Sequence, residues 1–239
     1  MVGVLTDIGM VRSINEDCAE YVESDKYSIY VVADGMGGHN AGEVASSMAV
    51  KGIIEYIETN FGKADNYKIL RNAIQSVNKS IYNHSIKNDN LNGMGTTITA
   101  GLKFNDVIQI ANVGDSSCYG IKGEVINKIT KDHSLVQELV DLGTISELEA
   151  VNHPKKNIIT RAVGTSESVE VDVFNLSKDD YDIYVLCSDG LTNEVTKEEI
   201  LKVIKEGKLP VDTCEKLVNL AKYKGGRDNV TVLLFGGEM

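Results

Sequence analysis

Apolar residues along this chain recur with two different periods. Val2 to Asp7 reads as a short strand, followed by a polar connection, GMVRSINEDCAE, that holds Arg12, Glu16 and Asp17. Tyr27 to Ala33 is a run of β-branched and aromatic residues that reads as a buried strand and breaks at Gly35, Gly37 and Gly38. From Ala41 the spacing changes to about 3.6, with Val44, Ala45, Met48, Ala49, Ile53, Ile54 and Ile57 on one stripe, which predicts an amphipathic helix. A second helix is predicted from about Tyr67 to Lys87, with Leu70, Ala73, Ile74, Val77 and Ile81 inward.

Strand patterns return between Thr96 and Thr130, with turns at Asn105-Asp106 and Lys122-Gly123; links this short favour antiparallel hairpins. Lys131 to Gly164 holds a short helix stopped by Gly143, a capping-box start at Ser146 with Glu149, and the polar stretch NHPKKNIITRAVG. It reads as a surface excursion, a flap. Two more strands, VEVDVFNL and YDIYVLCSD, precede a second helix pair, one capped by Thr196 and Glu199, the other running from near Pro210 to Gly225-Gly226. The last strand is Asn229 to Phe235. Strands that pair mainly among themselves, with helices added in pairs, predict a layered α+β sandwich and not a doubly wound parallel sheet.

The chain has 239 residues, 42% of them hydrophobic, and shows no linker, repeat or low-complexity tract, so one domain over 1–239 is expected. A formal charge of −11 with no basic stripe excludes nucleic acid as a partner. It also opposes an anionic substrate unless cations reverse the local potential. The four cysteines, Cys18, Cys118, Cys187 and Cys214, have no zinc spacing and read as free thiols of a reducing compartment. No apolar run approaches the ~18 residues of a membrane helix, and the amino terminus lacks a signal-peptide pattern, so a cytoplasmic protein is expected.

Several acids stand at strand ends: Asp34 before Gly35, Asp189 before Gly190, Asp115 after Gly114, and Asp228 just ahead of the last strand. Aspartates gathered by a sheet form an oxygen-rich site for hard divalent cations, and oxygen donors without a His or Cys cluster favour Mg²⁺ or Mn²⁺ over zinc. Taken singly, each is more often a turn or cap residue.

In order along the chain, DIGMVRSINEDC, VADGMGGHNAGEVAS, MGTTITA, ANVGDSSCYG, KDHS, ITRAVG, CSDGL and GGRDNVTVLL resemble the PPM family of metal-dependent serine/threonine protein phosphatases (type 2C), particularly its bacterial branch. The resemblance implies a four-layer α-β-β-α sandwich of two antiparallel sheets flanked by helix pairs, with a flap near 131–164 and a binuclear Mg²⁺ or Mn²⁺ centre at one end. It implies that Asp34 bridges two metals, that the Gly35 carbonyl ligates the second, and that Asp189 and Asp228 complete the first. Asp17, with Glu16 beside it, would act through water. Asp115, with Asp189, would hold a third, weaker ion, and Arg12 would grip the substrate phosphate. The partners implied are phosphorylated proteins and a cognate serine/threonine kinase.

Two positions depart from the family pattern. Where eukaryotic members carry a histidine proposed as general acid, this chain has Met36; His39 belongs to the bacterial form of the motif, and the general acid stays unassigned, with water in the metal site as a candidate. Ser117 stands where an arginine is commoner. Bland readings accompany the others: Arg12 paired with Glu16 or Asp17, His84 solvated, His133 and His153 structural, Arg161 a flap anchor, and Cys187 a core residue. Two other functions fit the same pattern, a catalytically dead phosphoprotein-binding module and a phosphatase domain acting on an anti-sigma antagonist in a partner-switching circuit. The intact acid set opposes the first, and the absence of room for a sensor domain weakens the second.

Overall fold

Two antiparallel sheets lie face to face in the computed structural model, which describes residues 1–37, 41–63 and 65–237. One runs β1 (Val2–Asp7), β11 (Val230–Gly236), β10 (Ile183–Cys187), β7 (Ser117–Lys122) and β8 (Val125–Lys128). The other runs β2 (Asp17–Glu23), β3 (Ser28–Met36), β5 (Ile98–Phe104), β6 (Val107–Val113) and β9 (Asp172–Ser177), with the short β4 (Gly95–Thr96) pairing β3.

Helices α1 (Ala41–Asn60) and α2 (Asn66–Ser85) cover the second sheet; α6 (Lys197–Glu206) and α7 (Pro210–Lys224) cover the first. The predicted stripes are the buried ones: Ala45, Ala49, Ile53, Ile54 and Ile57 on α1, and Leu70, Ala73, Ile74, Val77 and Ile81 on α2. The expected α-β-β-α sandwich is therefore the observed one.

Because each sheet is covered on both faces, its central strands are apolar on both sides. Tyr30 and Val32 of β3 face the opposite sheet, while Ile29, Val31 and Ala33 face the helices. In β10, Tyr184 and Leu186 face inward and Val185 and Cys187 outward. Continuous apolar runs are the signature of such doubly covered strands. Phe235 locks the sheets together, its ring stacked 4.0 Å from that of Tyr30 and 5.0 Å from that of Tyr184.

One element differs from the sequence reading. The polar connection ends early, because residues 17–23 form β2, a full antiparallel partner of β3. Exposed Glu20 and Glu23 masked it; charges on an edge strand block further pairing, while Cys18, Ala19 and Val22 supply its inward contacts. The turns at Asn105-Asp106 and Lys122-Gly123 close the expected antiparallel hairpins, β5–β6 and β7–β8, and the link between β6 and β7 carries the chain from one sheet to the other. Gly114 makes that crossing with φ of +107°, a conformation open mainly to glycine.

The segment 131–164 holds α3 (Leu135–Asp141), capped by Ser134 and ended at Gly143 with φ of +67°, and α4 (Glu147–Val151), with the Ser146–Glu149 capping box in place. Its return joins the body where Val163 and Thr96 exchange backbone hydrogen bonds of 2.9 and 3.0 Å. Among the described residues no helix is long and apolar enough to cross a membrane.

Candidate metal and phosphate site

Sheet register decides which residues meet. Asp17 opens β2 directly opposite Asp34, near the end of β3. In the other sheet Cys187, at the end of β10, pairs Ser117 at the start of β7 and Val232 near the start of β11. The residues just beyond those ends are Asp115, Asp189 and Asp228, so five carboxylates from five loops and strand ends converge at one end of the sandwich.

There a depression of ≈ 220 Å³ is lined by Arg12, Glu16, Asp34, Gly35, Met36, Gly37, Asp115, Asp189, Asp228 and Asn229, with Asn157 and Ile159 from the 131–164 segment. Two other depressions, an apolar one beside Pro210 and a polar one between Tyr56, Lys79 and Ser168, bring no cluster of acids together.

The site is built on bare backbone. A Cβ at Gly35 would strike the Gly42 carbonyl, so no larger residue lets α1 approach β3 this closely. Asp34 is held through its backbone: Thr97 Oγ1 accepts from its N–H at 3.1 Å, and the Thr97 N–H and Thr96 Oγ1 both donate to its carbonyl at 2.9 Å. Thr97 Oγ1 also meets Ser116 Oγ at 2.7 Å, tying the Asp115 crossing to the same strand end. Asp17 Oδ2 accepts from Ser188 Oγ at 2.8 Å and from Thr231 Oγ1 at 2.7 Å. Asp189 is the first residue of a one-turn helix, α5 (Asp189–Thr192), and accepts from Asn193 Nδ2 at 2.9 Å.

Electrostatically this is an unsatisfied cluster. Burial, then the charges of Asp17, Asp189, Asp115 and Asp228, hold the Asp34 carboxyl well above the usual range. Burial pushes Asp17 up to about 7, against the hydrogen bonds from Thr231 and Ser188. Burial and the charge of Asp189 push Asp115 up to about 7. Glu16 is raised by burial, although the Gly42 N–H and Arg12 oppose the shift. Among the described residues, Asp17 Oδ1 and Asp115 Oδ1 are buried without any hydrogen-bond partner. Orphaned carboxylate oxygens among mutually repelling acids are the chemistry of a cation site, and the all-oxygen donor set fits Mg²⁺ or Mn²⁺.

Among the described residues no three such side chains are already arranged to hold an ion. Three of the five carboxylates lean on protein donors instead: Asp228 on Arg12, Asp17 on Ser188 and Thr231, and Asp189 on Asn193.

Arg12 pairs with neither Glu16 nor Asp17. Its Nη2 donates to Asp228 Oδ2 at 2.8 Å, with the guanidinium side chain 49% exposed at the rim. Burial works against its charge, yet Asp228, Glu16 and Asp34 raise its pKa further, so the fork is always cationic.

The histidines and Arg161 fall where the bland readings put them. The Gly114 N–H donates to His133 Nδ1 at 3.0 Å, and Nε2 lies 3.2 Å from Asp172 Oδ2 and 2.9 Å from Arg161 Nη1. Arg161 Nη1 donates to Asp172 Oδ1 at 2.8 Å, anchoring the far end of the 131–164 segment to β9. His84 is exposed, and His153 accepts from the Lys155 N–H. Cys187 is fully buried and its thiol is pushed up to about 12 by burial, which excludes it as a nucleophile at neutral pH. Ser117 is buried at the start of β7. His39 lies outside the described residues.

Sequence reasoning missed the supports: Thr96, Thr97, Ser188 and Thr231, all within the motifs MGTTITA, CSDGL and GGRDNVTVLL. It also missed Asn157, which no local pattern marks.

Residues 11–222 match the family model of protein phosphatase 2C. The serine/threonine phosphatase stp of Listeria innocua is 42% identical over 233 residues, covering 96% of this chain and 92% of the relative. Protein phosphatase PhpP of Streptococcus pneumoniae is 35% identical over 237 residues, covering 98% and 96%. The crystal structure of serine/threonine phosphatase Stp1 from Staphylococcus aureus superposes with a TM-score of 0.93 at 37% identity, over 100% of this chain and 95% of that one. With family model, full-length relatives and fold in agreement, the chain belongs to the protein phosphatase 2C family and is a phosphoprotein phosphatase.

Proposed function

We propose that this chain hydrolyses phosphoserine and phosphothreonine in proteins at a binuclear Mg²⁺ or Mn²⁺ centre, reversing the action of a serine/threonine kinase. The observation that carries the reading is the convergence of Asp34, Asp115, Asp189 and Asp228 in one depression beside Arg12, with Asp17 buried against them and carboxylate oxygens of Asp17 and Asp115 left unpaired. Asp34, the Gly35 carbonyl, Asp189 and Asp228 would hold two ions, Asp115 and Asp189 a third, and Asp17 and Glu16 would act through water. When bound, the ions lower the pKa of a water nucleophile and neutralise phosphoryl charge, without which so acidic a site would repel its substrate.

In the reaction, water adds to phosphorus as the ester P–O bond breaks. The leaving alkoxide takes up a proton, and the products are inorganic phosphate and a free hydroxyl. Arg12 binds the non-bridging oxygens through its planar fork and orients the ester for in-line attack. Met36 lines the pocket but has no proton to give, so no protein group is assigned as the acid. Unpaired thiols at Cys18, Cys118, Cys187 and Cys214 support a cytoplasmic setting beside the kinase and its substrates.

The test is phosphate release from a phosphothreonine peptide with Mn²⁺, with Mg²⁺ and with excess EDTA, alongside Asp34→Asn. Turnover that requires the ion and is lost in the variant is expected. Metal binding without turnover across several phosphopeptides would replace the enzyme with a phosphoprotein-binding module.

A further inference from the structure

Arg12 sits in the loop between β1 and β2, where residues 8–16 belong to neither strand. Such a segment carrying a substrate-binding side chain needs a restraint, because a fork that must meet a phosphate in two directions loses its contact with a displacement of about 1 Å. One side chain supplies that restraint. Asn229 Nδ2 donates to the Ile8 carbonyl at 3.0 Å and to the Ile14 carbonyl at 2.9 Å, and its Oδ1 accepts from the Glu16 N–H at 2.9 Å. Both amide protons of the carboxamide are used, and they reach the first and last parts of the same loop. The residue is 5% exposed, so water does not compete for these bonds.

We propose that Asn229 is a positioning residue for substrate binding, whose carboxamide closes the 8–16 loop at its base and holds Arg12 at the rim of the depression. The proposal rests on the phosphatase reading and concerns how the phosphate is gripped. Other contacts complete the mount. The Met10 N–H donates to the Gly226 carbonyl at 2.7 Å, and Asp7, whose Oδ2 accepts from Lys222 Nζ at 2.8 Å, accepts from the Gly9 N–H through Oδ1 at 2.8 Å. These tie down the entry of the loop; Asn229 ties entry to exit, and outside the loop base Asn15 Nδ2 donates to Thr6 Oγ1 of β1 at 2.9 Å. Asn229 follows Asp228, the acid that Arg12 faces, so one dipeptide sets both the loop and its ionic partner.

The experiment is a double-mutant cycle on the full-length chain with saturating Mn²⁺. Wild type, Asn229→Ala, Arg12→Ala and the double variant are compared in KM and kcat for a phosphothreonine peptide, in inhibition by inorganic phosphate, in Mn²⁺ affinity from the electron paramagnetic resonance of free Mn²⁺, and in melting temperature. Asn229→Ala is expected to weaken phosphate inhibition about five- to twentyfold and to reproduce the kcat-against-KM split of Arg12→Ala, while adding less than about twofold in the Arg12→Ala background. Mn²⁺ affinity stays at the wild-type value.

Full additivity of the two substitutions, or unchanged phosphate inhibition in Asn229→Ala, overturns the proposal. Mn²⁺ affinity falling in step with turnover also overturns it, by placing the effect on Asp228. Should Asn229→Ala melt below the assay temperature, Asn229→Ser, which cannot span both carbonyls, takes its place with the same expectations. Wild type without turnover removes the phosphatase reading, and the loop restraint is then judged on Mn²⁺-dependent phosphate binding by calorimetry in the same four proteins.

Discussion

Asp17 and Asp34 face each other directly across the β2–β3 pair, the first buried and the second half-buried in the wall of the depression. Like charges opposite one another in an antiparallel pair destabilise the sheet, and burial enlarges the penalty. A cation held by the proposed centre would relieve that repulsion.

Asp34→Asn is therefore expected to stabilise the metal-free protein while abolishing its response to metal. Removing one charge from the cluster relieves repulsion that burial, Asp17, Asp189, Asp115 and Asp228 all impose. A gain of about 1–2 kcal/mol in EDTA is expected, as for other buried like-charge sites. Melting curves with EDTA and with Mn²⁺ check it: wild type rises on adding the ion, and the variant starts higher but does not move.

Arg12→Ala separates binding from folding. The Arg12–Asp228 pair is 49% and 31% exposed on its two sides, so its loss is expected to cost under about 1 kcal/mol of stability. Losing a charge-assisted fork on phosphate is expected to lower kcat/KM roughly 10- to 100-fold. Mn²⁺ affinity is not reduced, since Asp228 loses a competitor and keeps its carboxylate. Equal losses in phosphate and metal binding would make the pair structural.

Acid sensitivity is traced to His133. Burial, together with the charge of Arg161, lowers its pKa despite Asp172, and the Gly114 N–H already occupies Nδ1. Below its unfolded value of 6.5 the unfolded chain takes up a proton that the folded chain refuses, so stability falls as pH drops from there towards the folded pKa. Asp172 acts in the same direction at lower pH: its folded pKa is depressed, and its contribution is lost as pH falls below 3.8. His133→Gln is expected to lose less stability than wild type between about pH 7.5 and about pH 5.5, measured as urea midpoints. Equal losses would show that the ring titrates freely in the fold.

Phe235→Ala tests the lock between the sheets. The ring is 1% exposed and stacked against Tyr30 and Tyr184. Its removal is expected to cost about 3–5 kcal/mol, through lost transfer energy and the cavity left behind. Urea denaturation gives the loss. The folded fraction should keep its Mn²⁺ affinity, because the ring lies in the interior between the sheets and lines no part of the depression.

Periodicity and local chemistry alone determined most of the elements of this protein. The α1 and α2 stripes, both capping boxes and the strands buried on two faces are each set by neighbours within a few residues in sequence. The candidate ligands were legible for the same reason: an acid at the end of an apolar run, next to glycine, is a local pattern repeated along the chain. What sequence hid was β2, whose exposed glutamates look like loop, and the fact that the chain changes sheets between β6 and β7, which no local pattern marks.

Only the tertiary structure decided that Arg12 faces Asp228 across 216 positions of sequence, that Ser188 and Thr231 hold Asp17, and that Asn229 closes the loop carrying Arg12. Those relationships depend on which strands lie side by side and in what register. Register is fixed by burial summed over both sheets, a property of the packed whole that no single stretch of sequence carries.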